Sequence, residues 1–454
     1  MKSVALHNLG CKVNSYELDV MQQILQEKGY IIVPFDHIAD IYIVNTCTVT
    51  NIADRKSRQM LHRAKQLNPH AVVVAVGCYV QTGREAIEKD DCVDLAIGNN
   101  RKKDIAMILE QFLREKDILS DGQQTSGRDK TLRGTAVTDI NHTDEYEEMT
   151  LKRTSEHTRA YIKIQDGCNQ FCSYCAIPYA RGKVRSRRQE DVMGEIRGLV
   201  ESGFKEVVLT GIHLSSYGID FLGKKAYSGV SSLIDLIEQV HEIKGLERVR
   251  LGSLEPRIVT EETAKRLSCL PKLCPHFHLS LQSGSDTVLK RMNRHYTVGE
   301  YYTSVEYLRK YFDQPAITTD IIVGFPGETE AEFAETAAFL DKVCFYEMHI
   351  FKFSKRAGTV AASMPEQVPD RIKNHRSNIL QDMEKRQSAK FRQRYIGGEA
   401  EVLLEEEKDI DGVSYLVGHT KDYVKVAVRP AEGLRTNEVV KVHVKSMLTE
   451  EILV

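Results

Sequence analysis

The feature that most constrains the fold of this chain is an alternation of short apolar segments with longer amphipathic segments. In the first 115 residues, four apolar segments of strand length occur, at 4–9, 30–35, 41–46 and 71–76. Segments with apolar residues at helical spacing lie between them, at 15–28 and 53–66. Because strands that alternate with helices form parallel sheets with helices on their faces, we predict a doubly wound α/β domain over 1–115.

The same alternation returns in the middle of the chain. Six further strand candidates occur, at 159–165, 205–211, 248–254, 276–282, 316–325 and 346–354. Six β/α units in about 200 residues suit an open, partial TIM barrel better than a closed barrel of eight units. We therefore predict a second α/β domain over 151–380, preceded by a polar linker or extension over 116–150.

The pattern changes again toward the carboxyl end. A charged helical stretch is followed by Gly397 and Gly398, and apolar and polar residues then alternate from 399 to 454. Alternation with a period of two predicts antiparallel strands. We expect 381–454 to hold a connecting helix and a small antiparallel β-barrel.

Composition narrows the classes of function. The chain has 62 Lys and Arg residues against 64 Asp and Glu residues, so its net charge of −2 excludes a polybasic binder but permits a local basic groove. We find no apolar run of membrane-spanning length and no signal-peptide pattern at the start. We expect a cytoplasmic protein, in which disulfides are rare, so the ten cysteines need another role.

Three of these cysteines, Cys168, Cys172 and Cys175, form the pattern C-x3-C-x2-C directly after the first strand of the predicted partial barrel. Three thiolates this close in sequence can bind one iron–sulfur cluster and leave one iron without a protein ligand. A zinc site would need a fourth ligand nearby, and this loop contains no histidine. We favour the cluster, with a zinc knuckle or three packed thiols as the alternatives.

This loop, with aromatic Tyr174 before its last cysteine, resembles the loop of the radical S-adenosylmethionine (SAM) superfamily, whose fold is a six-unit partial barrel. The resemblance implies a [4Fe-4S] cluster whose free iron chelates SAM, and cleavage of SAM to methionine and a 5′-deoxyadenosyl radical. Functional groups of β/α barrels lie at the carboxyl ends of the strands. The resemblance, together with this strand-end rule, gives a set of SAM-contact candidates. They are Tyr174 in the cysteine loop and, after the strands, Thr210, Gly211, His213, Ser253, Glu255 and Gln282. Gly211 and Glu255 have structural alternatives, as a strand end and a helix cap.

A second set of cysteines, Cys11, Cys47 and Cys78, is spread through the N-terminal domain, and each member follows an apolar strand candidate. In a doubly wound sheet the carboxyl ends of the strands converge on one crevice. Helices that begin after these loops favour an anionic group at their N-termini. We therefore predict a second metal cluster here, against the alternative of ordinary buried cysteines. The other four cysteines, Cys92, Cys269, Cys274 and Cys344, are predicted to be packed thiols.

Two such sets followed by a small β domain resemble the methylthiotransferase family over essentially the whole chain. The segments LGCKVNSYE, NTCTVTNIADRKSRQ, VGCYVQ, TGIHLSSYG and LQSGSDTVLKRMNRHYT are similar to its threonylcarbamoyladenosine-tRNA branch. The resemblance implies two [4Fe-4S] clusters, SAM as source of both methyl group and radical, and a C-terminal RNA-binding TRAM domain. The implied reaction converts N6-threonylcarbamoyladenosine at position 37 of tRNA to its 2-methylthio form. It needs a sulfur source and an electron donor such as flavodoxin or ferredoxin.

A tRNA substrate requires cations that contact phosphates and an unstacked base in the anticodon loop. From 151 to 190 the chain has nine Lys or Arg residues against three Asp or Glu residues, so the local charge is positive. The RNA-binding candidates are Arg55, Lys56, Arg58, Arg181, Lys183, Arg185, Arg187, Arg188, Lys421 and Tyr423. A solvated charged face and, for Tyr423, packing within the barrel are the alternatives.

Three other functions stay open at this point. One is methylthiolation of another tRNA adenosine or of a ribosomal protein side chain. Another is a non-catalytic iron–sulfur RNA-binding protein, which a loop with three ligands rather than four disfavours. The third is a zinc-dependent RNA-binding module, which would contain metal without iron.

Overall fold

A computed structural model describes residues 1–122, 134–152, 158–221 and 229–454. The chain divides into two compact units. Unit 1 contains Met1–Thr154, Lys163–Arg188 and Ser354–Ala362, and unit 2 contains Ser155–Ile162, Gln189–Phe353 and Ser363–Val454. Among the helices of the described ranges, none is both long and apolar enough to cross a membrane.

Unit 1 is built on a six-stranded sheet in which every strand pair is parallel. Its strands are β1 (Ser3–Asn8), β2 (Ile31–Val33), β3 (Ile41–Thr46), β4 (Val72–Gly77), β5 (Leu95–Ile97) and β6 (Gly134–Ala136). The helices of this region are α1 (Lys12–Glu27), α2 (Asn51–Leu67), α3 (Cys78–Thr82), α4 (Arg84–Glu88) and α5 (Ile105–Gly122). The strand order is β2-β1-β3-β4-β5-β6. All residues of β3 and β4 are buried, as expected for the central strands of a parallel sheet.

Strand β6 lies inside the segment predicted as a linker or extension. It pairs in parallel with β5, which extends the sheet by one strand. Neither of these three-residue strands lies in a longer apolar segment that would mark it in the sequence. Residues 123–133 of the same segment lie outside the described residues.

The chain enters the second α/β region through β7 (Arg159–Asp166), which begins in unit 2 and ends in unit 1. After it come α6 (Ile177–Arg181) and the short strand β8 (Arg185–Ser186). Strand β8 pairs antiparallel with the end of β7, at Gln165 and Asp166. The loop that carries three of the cysteines therefore lies between β7 and α6, within unit 1.

Unit 2 continues the alternation of strands and helices. Its strands are β9 (Glu206–Gly211), β10 (Arg248–Leu251), β11 (His276–His278), β12 (Ala316–Val323) and β13 (Glu347–Lys352). Its helices up to this point are α7 (Gln189–Glu201), α8 (Gly229–His241), α9 (Glu261–Ser268), α10 (Asp286–Arg291), α11 (Val298–Tyr311) and α12 (Glu330–Val343). Strands β9 and β10 pair in parallel, as do β11, β12 and β13, and single bridges join Val249 to Leu273 and Leu254 to Leu279. With β7, these are the six predicted strands.

The C-terminal part begins with α13 (Val360–Ser363) and the long helix α14 (Asp370–Gln393). Five strands follow, namely β14 (Glu399–Ile410), β15 (Val413–Thr420), β16 (Lys425–Val428), β17 (Val439–His443) and β18 (Ile452–Leu453). Their order is β17-β14-β15-β16-β18, with antiparallel pairs except for β16 and β18. Their apolar side chains, including Val402, Leu416 and Val426, form a buried core. The predicted α/β fold with a C-terminal antiparallel β domain is confirmed.

Candidate functional site: two cysteine triads

Cys11, Cys47 and Cys78, called here the sheet triad, lie at the carboxyl edge of the parallel sheet. Strands β1, β3 and β4 are neighbours in register, with Asn8 opposite Asn45 and Thr46 opposite Gly77. Cys47 and Cys78 are the first residues beyond their strands, and Cys11 directly precedes α1. The structure therefore brings together three cysteines that are more than 60 residues apart at the extremes.

Two glycines make this approach possible. Gly10 has a φ of +122°, and a Cβ there would lie 3.1 Å from the Cβ and 3.3 Å from the Sγ of Cys47. Gly77 has a φ of +98°, and a Cβ there would lie 2.7 Å from the Oδ1 of Asn45. Residues with a Cβ rarely adopt such backbone angles, so both loops depend on glycine at these positions. The short distances also show how closely the Cys11 loop approaches Cys47.

The sulfur atom of Cys78 in the sheet triad accepts hydrogen bonds from two side chains. The Sγ of Cys78 accepts hydrogen bonds from the Nε of Arg181 at 3.3 Å and the Nδ2 of Asn99 at 3.5 Å. Burial, together with the neighbouring Cys78, raises the pKa of the Cys47 thiol to about 12. The bare thiol of Cys47 is therefore protonated near pH 7, and a metal would bind it by displacing this proton. The donors and the N-terminus of α1 stabilise the resulting negative charge.

Arg181 belongs to a buried network of charges within unit 1. Its Nη1 contacts the Oε1 of Glu17 at 2.6 Å and the Oδ1 of Asp166 at 3.3 Å. The Nζ of Lys163 contacts the same two carboxylates at 2.8 Å and 2.7 Å, and Lys102 also pairs with Glu17. Burial alone would raise the pKa of Glu17, but Arg181 and the two lysines hold it well below its usual value. A buried charge with several partners is held firmly in place, so Arg181 has little freedom to leave Cys78.

Cys168, Cys172 and Cys175, called here the loop triad, are closer in sequence, and each is partly exposed. In the sheet triad, Cys47 and Cys78 are buried and Cys11 is exposed. The backbone N–H of Cys168 donates to the carbonyl of Gly182 at 3.0 Å, and that of Cys175 donates to the carbonyl of Cys172 at 3.0 Å. These bonds fold the loop back on itself. Arg181, which donates to Cys78, is the last residue of α6 and directly precedes Gly182. The short helix α6 therefore connects the loop triad to the donor that contacts the sheet triad.

Two exposed aromatic residues beside the loop triad were not among the predicted site residues. Phe171 and Tyr179 are 52% and 45% exposed, and their rings meet edge to face with centroids 6.4 Å apart. Phe171 also has a φ of +48°, in the left-handed region. A sequence pattern shows neither the exposure nor the backbone angle, although position 171 next to a ligand cysteine was a usable signal.

The basic run after the loop triad divides into buried and exposed members. Arg181, Arg185 and Arg187 are buried: Arg185 donates to the carbonyl of Arg181, and Arg187 pairs with Glu148. Lys183 and Arg188 are exposed. The run therefore contains three buried arginines with internal partners and two cations that face solvent.

The other RNA-binding candidates lie in two places. Arg55, Lys56 and Arg58 are exposed on α2, where Arg58 also donates to the hydroxyl of Tyr79 at 3.0 Å. In unit 2, Lys421 is half-buried and donates to the carbonyl of Pro271 at 3.2 Å.

Tyr423 is enclosed by cations and a second ring. The guanidinium carbons of Arg159 and Arg250 lie 4.9 Å and 4.7 Å from its ring centre. The ring of His419 stacks on it at 4.4 Å. Its ring faces are thus engaged inside unit 2, which favours the packing alternative for this residue.

Six of the SAM-contact candidates lie in unit 2, beyond the carboxyl ends of its strands, and Tyr174 lies in the loop of unit 1. Thr210 and Gly211 are the last residues of β9, and Ser253 follows β10. Gln282 is buried after β11 and has a φ of +73°. These positions agree with the barrel rule that functional groups cluster at strand ends.

His213 and Glu255 have defined partners in the same region. The Nδ1 of His213 lies 2.6 Å from the Oγ of Ser216, and burial lowers the pKa of His213 to about 4. His213 is therefore neutral near pH 7. Glu255 pairs with Arg257 at 2.5 Å.

The four remaining cysteines differ from the prediction that all are packed thiols. Cys274 is buried, but Cys269 and Cys344 are exposed and Cys92 is partly exposed. The prediction is wrong for the two exposed residues. Cys269 caps the end of α9 and Cys344 the end of α12, where the chain turns toward solvent.

Comparison with known proteins agrees with this architecture. The model of the radical SAM superfamily matches residues 162–340, and that of the uncharacterized protein family UPF0004 matches residues 3–98. A solved structure of a radical S-adenosylmethionine methyltransferase, TsrM from Kitasatospora setae, matches with a TM-score of 0.53. It is 16% identical and covers 77% of this chain and 75% of its own, a likeness of fold.

Curated relatives match almost the entire chain. The threonylcarbamoyladenosine tRNA methylthiotransferase MtaB of Bacillus subtilis (strain 168) is 38% identical, over 98% of this chain and 94% of its own. The protein of the same name from Aquifex aeolicus (strain VF5) is 38% identical, over 93% of this chain and 98% of its own. The tRNA-2-methylthio-N(6)-dimethylallyladenosine synthase of Carboxydothermus hydrogenoformans is 33% identical, over 98% of this chain and 96% of its own. This chain belongs to the family of radical SAM tRNA methylthiotransferases.

Proposed function

We propose that this enzyme converts N6-threonylcarbamoyladenosine at position 37 of tRNA to its 2-methylthio derivative. The observation that carries the proposal is the pair of cysteine triads in unit 1, where Arg181, close after the loop triad, donates to Cys78 of the sheet triad. The chain is also 38% identical to two threonylcarbamoyladenosine tRNA methylthiotransferases. The adenine C2–H is too weakly acidic for proton abstraction by a side chain near neutral pH, so a radical route is needed. The family supplies it through a [4Fe-4S] cluster and SAM.

Each triad suits a cluster of its own. The loop triad offers three partly exposed thiols in one folded loop, which can leave one iron of a [4Fe-4S] cluster open to the amino and carboxylate groups of SAM. The sheet triad offers three thiols, two of them buried, with Arg181 and Asn99 donating to one sulfur. This donor set fits a second, anionic cluster, because hydrogen bonds to the sulfurs stabilise its charge. When bound, the two clusters supply electron transfer to SAM and a carrier site for sulfur.

The chain itself contributes binding, orientation and exclusion of water. Glu17, Asp166 and Lys163 fix Arg181, and Arg181 holds the sulfur of Cys78. The SAM-contact roles of Thr210, His213 and Gln282 rest on their positions at strand ends of unit 2. His213, neutral near pH 7, can exchange hydrogen bonds with SAM without adding charge.

The tRNA contacts rest on exposed residues. Lys183 and Arg188 follow the loop triad in sequence, and Arg55, Lys56 and Arg58 lie on α2, which follows Cys47 of the sheet triad. Phosphate contacts need accessible cations, so these five are favoured over the buried Arg181, Arg185 and Arg187. The exposed rings of Phe171 and Tyr179 suit stacking with unpaired bases of the anticodon loop. An electron donor such as flavodoxin or ferredoxin, a sulfur source and a cytoplasmic location complete the proposal.

The testing experiment is anaerobic. The protein is reconstituted with iron and sulfide and mixed with SAM, a reductant and tRNA that carries threonylcarbamoyladenosine at position 37. Nucleosides and 5′-deoxyadenosine are then measured by mass spectrometry. The expected result is the 2-methylthio nucleoside together with 5′-deoxyadenosine, and about eight irons per chain for two clusters.

Matched tRNAs separate the proposal from its alternatives. The same tRNA with unmodified adenosine, or with dimethylallyladenosine at position 37, serves as the control. Methylthiolation of dimethylallyladenosine alone would move the substrate to the related synthase branch. Iron binding with neither product would favour a non-catalytic RNA-binding protein, and zinc without iron would favour the zinc module.

A further inference from the structure

Three ligand-type side chains in unit 2 have no role in the function described above. His278 is the last residue of β11, Asp320 lies in β12, and His349 lies in β13. These strands are adjacent and parallel, with His278 opposite Thr318 and Asp320 opposite His349. Since side chains alternate along a strand, the register places all three on one face of the sheet.

The three side chains converge on one point. The ligand atoms of His278, Asp320 and His349 all lie within 4.8 Å of one another. The Nε2 of His278 is 3.3 Å from the Oδ2 of Asp320. The two imidazole rings stack with centroids 5.8 Å apart and planes inclined by 24°. Ligands about 2.1 Å from one metal ion are separated by about 3 to 4 Å, so these spacings suit a shared ion.

The orientation of His278 is fixed from its other side. Its Nδ1 lies 3.0 Å from the hydroxyl of Thr318, so that hydroxyl can accept the Nδ1 proton. In that tautomer the Nε2 carries a lone pair. His278 is only 9% exposed, and its buried Nε2 makes no hydrogen bond of good geometry with the described residues. A buried nitrogen that faces a carboxylate without a hydrogen bond of good geometry suits a metal ligand, with Thr318 as the outer group that sets its tautomer.

The third ligand provides access from solvent. His349 is exposed, and it lines a cavity of about 870 Å³ together with residues of α14 and the C-terminal β domain, all in unit 2. The side chain of Asp320 is also 29% exposed, so two of the three ligands are accessible to an ion from solvent. Three protein ligands with one side open leave coordination positions for water or another oxygen ligand.

We propose that His278, Asp320 and His349 form a binding site for a divalent transition-metal ion of the Zn²⁺ or Fe²⁺ class. Two imidazoles and one carboxylate on one face are a donor set that such ions prefer, whereas Mg²⁺ and Ca²⁺ prefer oxygen ligands alone. The site contains no cysteine and lies outside both triads. The proposal does not rest on the proposed reaction or on its substrate.

The test measures zinc binding to the holoenzyme. Anaerobic protein reconstituted with iron and sulfide is dialysed against buffered Zn²⁺, and zinc and iron are counted by mass spectrometry. We expect one zinc per chain, an unchanged iron count, and a zinc K-edge absorption spectrum with nitrogen and oxygen ligands but no sulfur. His349→Ala, at an exposed position, and Asp320→Asn, of equal size, should each lower the affinity at least tenfold.

His295→Ala is the matched control, since His295 is exposed and outside the three-residue set. It should bind zinc as the wild type does. The proposal is overturned if wild-type holoenzyme and His349→Ala bind zinc equally. Sulfur ligands in the zinc spectrum, or iron lost as zinc is taken up, would also overturn it, because the ion would then be at the cysteines.

Discussion

The two cysteine triads differ in how the chain builds them. The loop triad comes from eight consecutive residues, held by backbone hydrogen bonds between β7 and α6. The sheet triad takes one cysteine from the end of each of three neighbouring strands and needs glycine at two adjoining positions. A local motif fixes the first set, whereas the order of strands in the sheet fixes the second.

The two cysteine triads also differ in the burial and the neighbours of their side chains. The cysteines of the loop triad are partly exposed, next to exposed aromatic and basic residues. Cys47 and Cys78 of the sheet triad are buried, and a donor from the charged network contacts Cys78. The loop triad therefore consists of three partly exposed cysteines, whereas the sheet triad combines two buried cysteines with the exposed Cys11.

We expect the largest effects, and the clearest test of the difference between the triads, from removing one cysteine from each triad. Cys168→Ala should abolish both 5′-deoxyadenosine and the methylthio product, because the cluster that binds SAM is lost. Cys47→Ala should abolish the product but leave some 5′-deoxyadenosine. Both products are measured by mass spectrometry, and each variant should hold about four irons fewer than the wild type.

Cys269→Ala serves as the control, since Cys269 is exposed and outside both triads. It should behave as the wild type does. Full methylthiolation by Cys47→Ala would show that the sheet triad holds no required cluster.

The link between the triads is tested by Arg181→Met, which keeps the bulk of the side chain but removes its charge. Glu17 and Asp166 would lose a buried partner, a change that costs about 3–5 kcal/mol. We expect a lower denaturation midpoint for the iron-free protein and a lower iron content after reconstitution.

Arg187→Met is the comparison variant, because Arg187 is equally buried but pairs with the half-exposed Glu148. Its loss should cost less than the loss of Arg181. Equal destabilisation by the two substitutions, with iron content preserved, would argue against a special role of Arg181.

The dependence of the sheet triad on backbone geometry is tested by Gly77→Ala. The positive φ costs about 1–3 kcal/mol, and the new methyl group would also meet Asn45. Gly412→Ala is the matched control, since its φ of +78° is similar but no atom lies within 4 Å of a Cβ there. Chemical denaturation should show the larger loss for Gly77→Ala, and iron content should fall only in that variant. Equal losses would mean that the contact with Asn45 is unimportant.

The smallest effects concern tRNA binding beside each triad. Lys183→Ala and Arg188→Ala, beside the loop triad, should each weaken tRNA binding and lower the slope of log affinity against log salt by about 0.7–0.9 per lost phosphate contact. Arg55→Ala and Lys56→Ala test whether α2 also contacts tRNA phosphates, and we expect the same two effects from them. Lys28→Ala, at an exposed position beyond α1, is the control. Unchanged salt slopes in all four variants would place the tRNA on another surface.

The local elements could be predicted from the sequence because their apolar patterns are local. The helices α1 and α2, the strands β3 and β4, and the six strands of the second α/β region follow the predicted segments closely. The three-residue strands β5 and β6 were missed, since neither lies in a longer apolar segment such as the one at 30–35 that marked the equally short β2. The roles of the basic run were only partly visible, because charge in a sequence does not show whether a side chain is buried.

The sequence alone determined the α/β architecture, the loop triad and the family resemblance, because residues close in the chain carry each of them. The tertiary structure decided what depends on distant partners. It buried Arg181 against Glu17 and Asp166, enclosed Tyr423 between Arg159 and Arg250, and set His278, Asp320 and His349 side by side. The physical reason is that burial and ion pairing depend on strand order and register, which the spacing of residues along one segment does not specify.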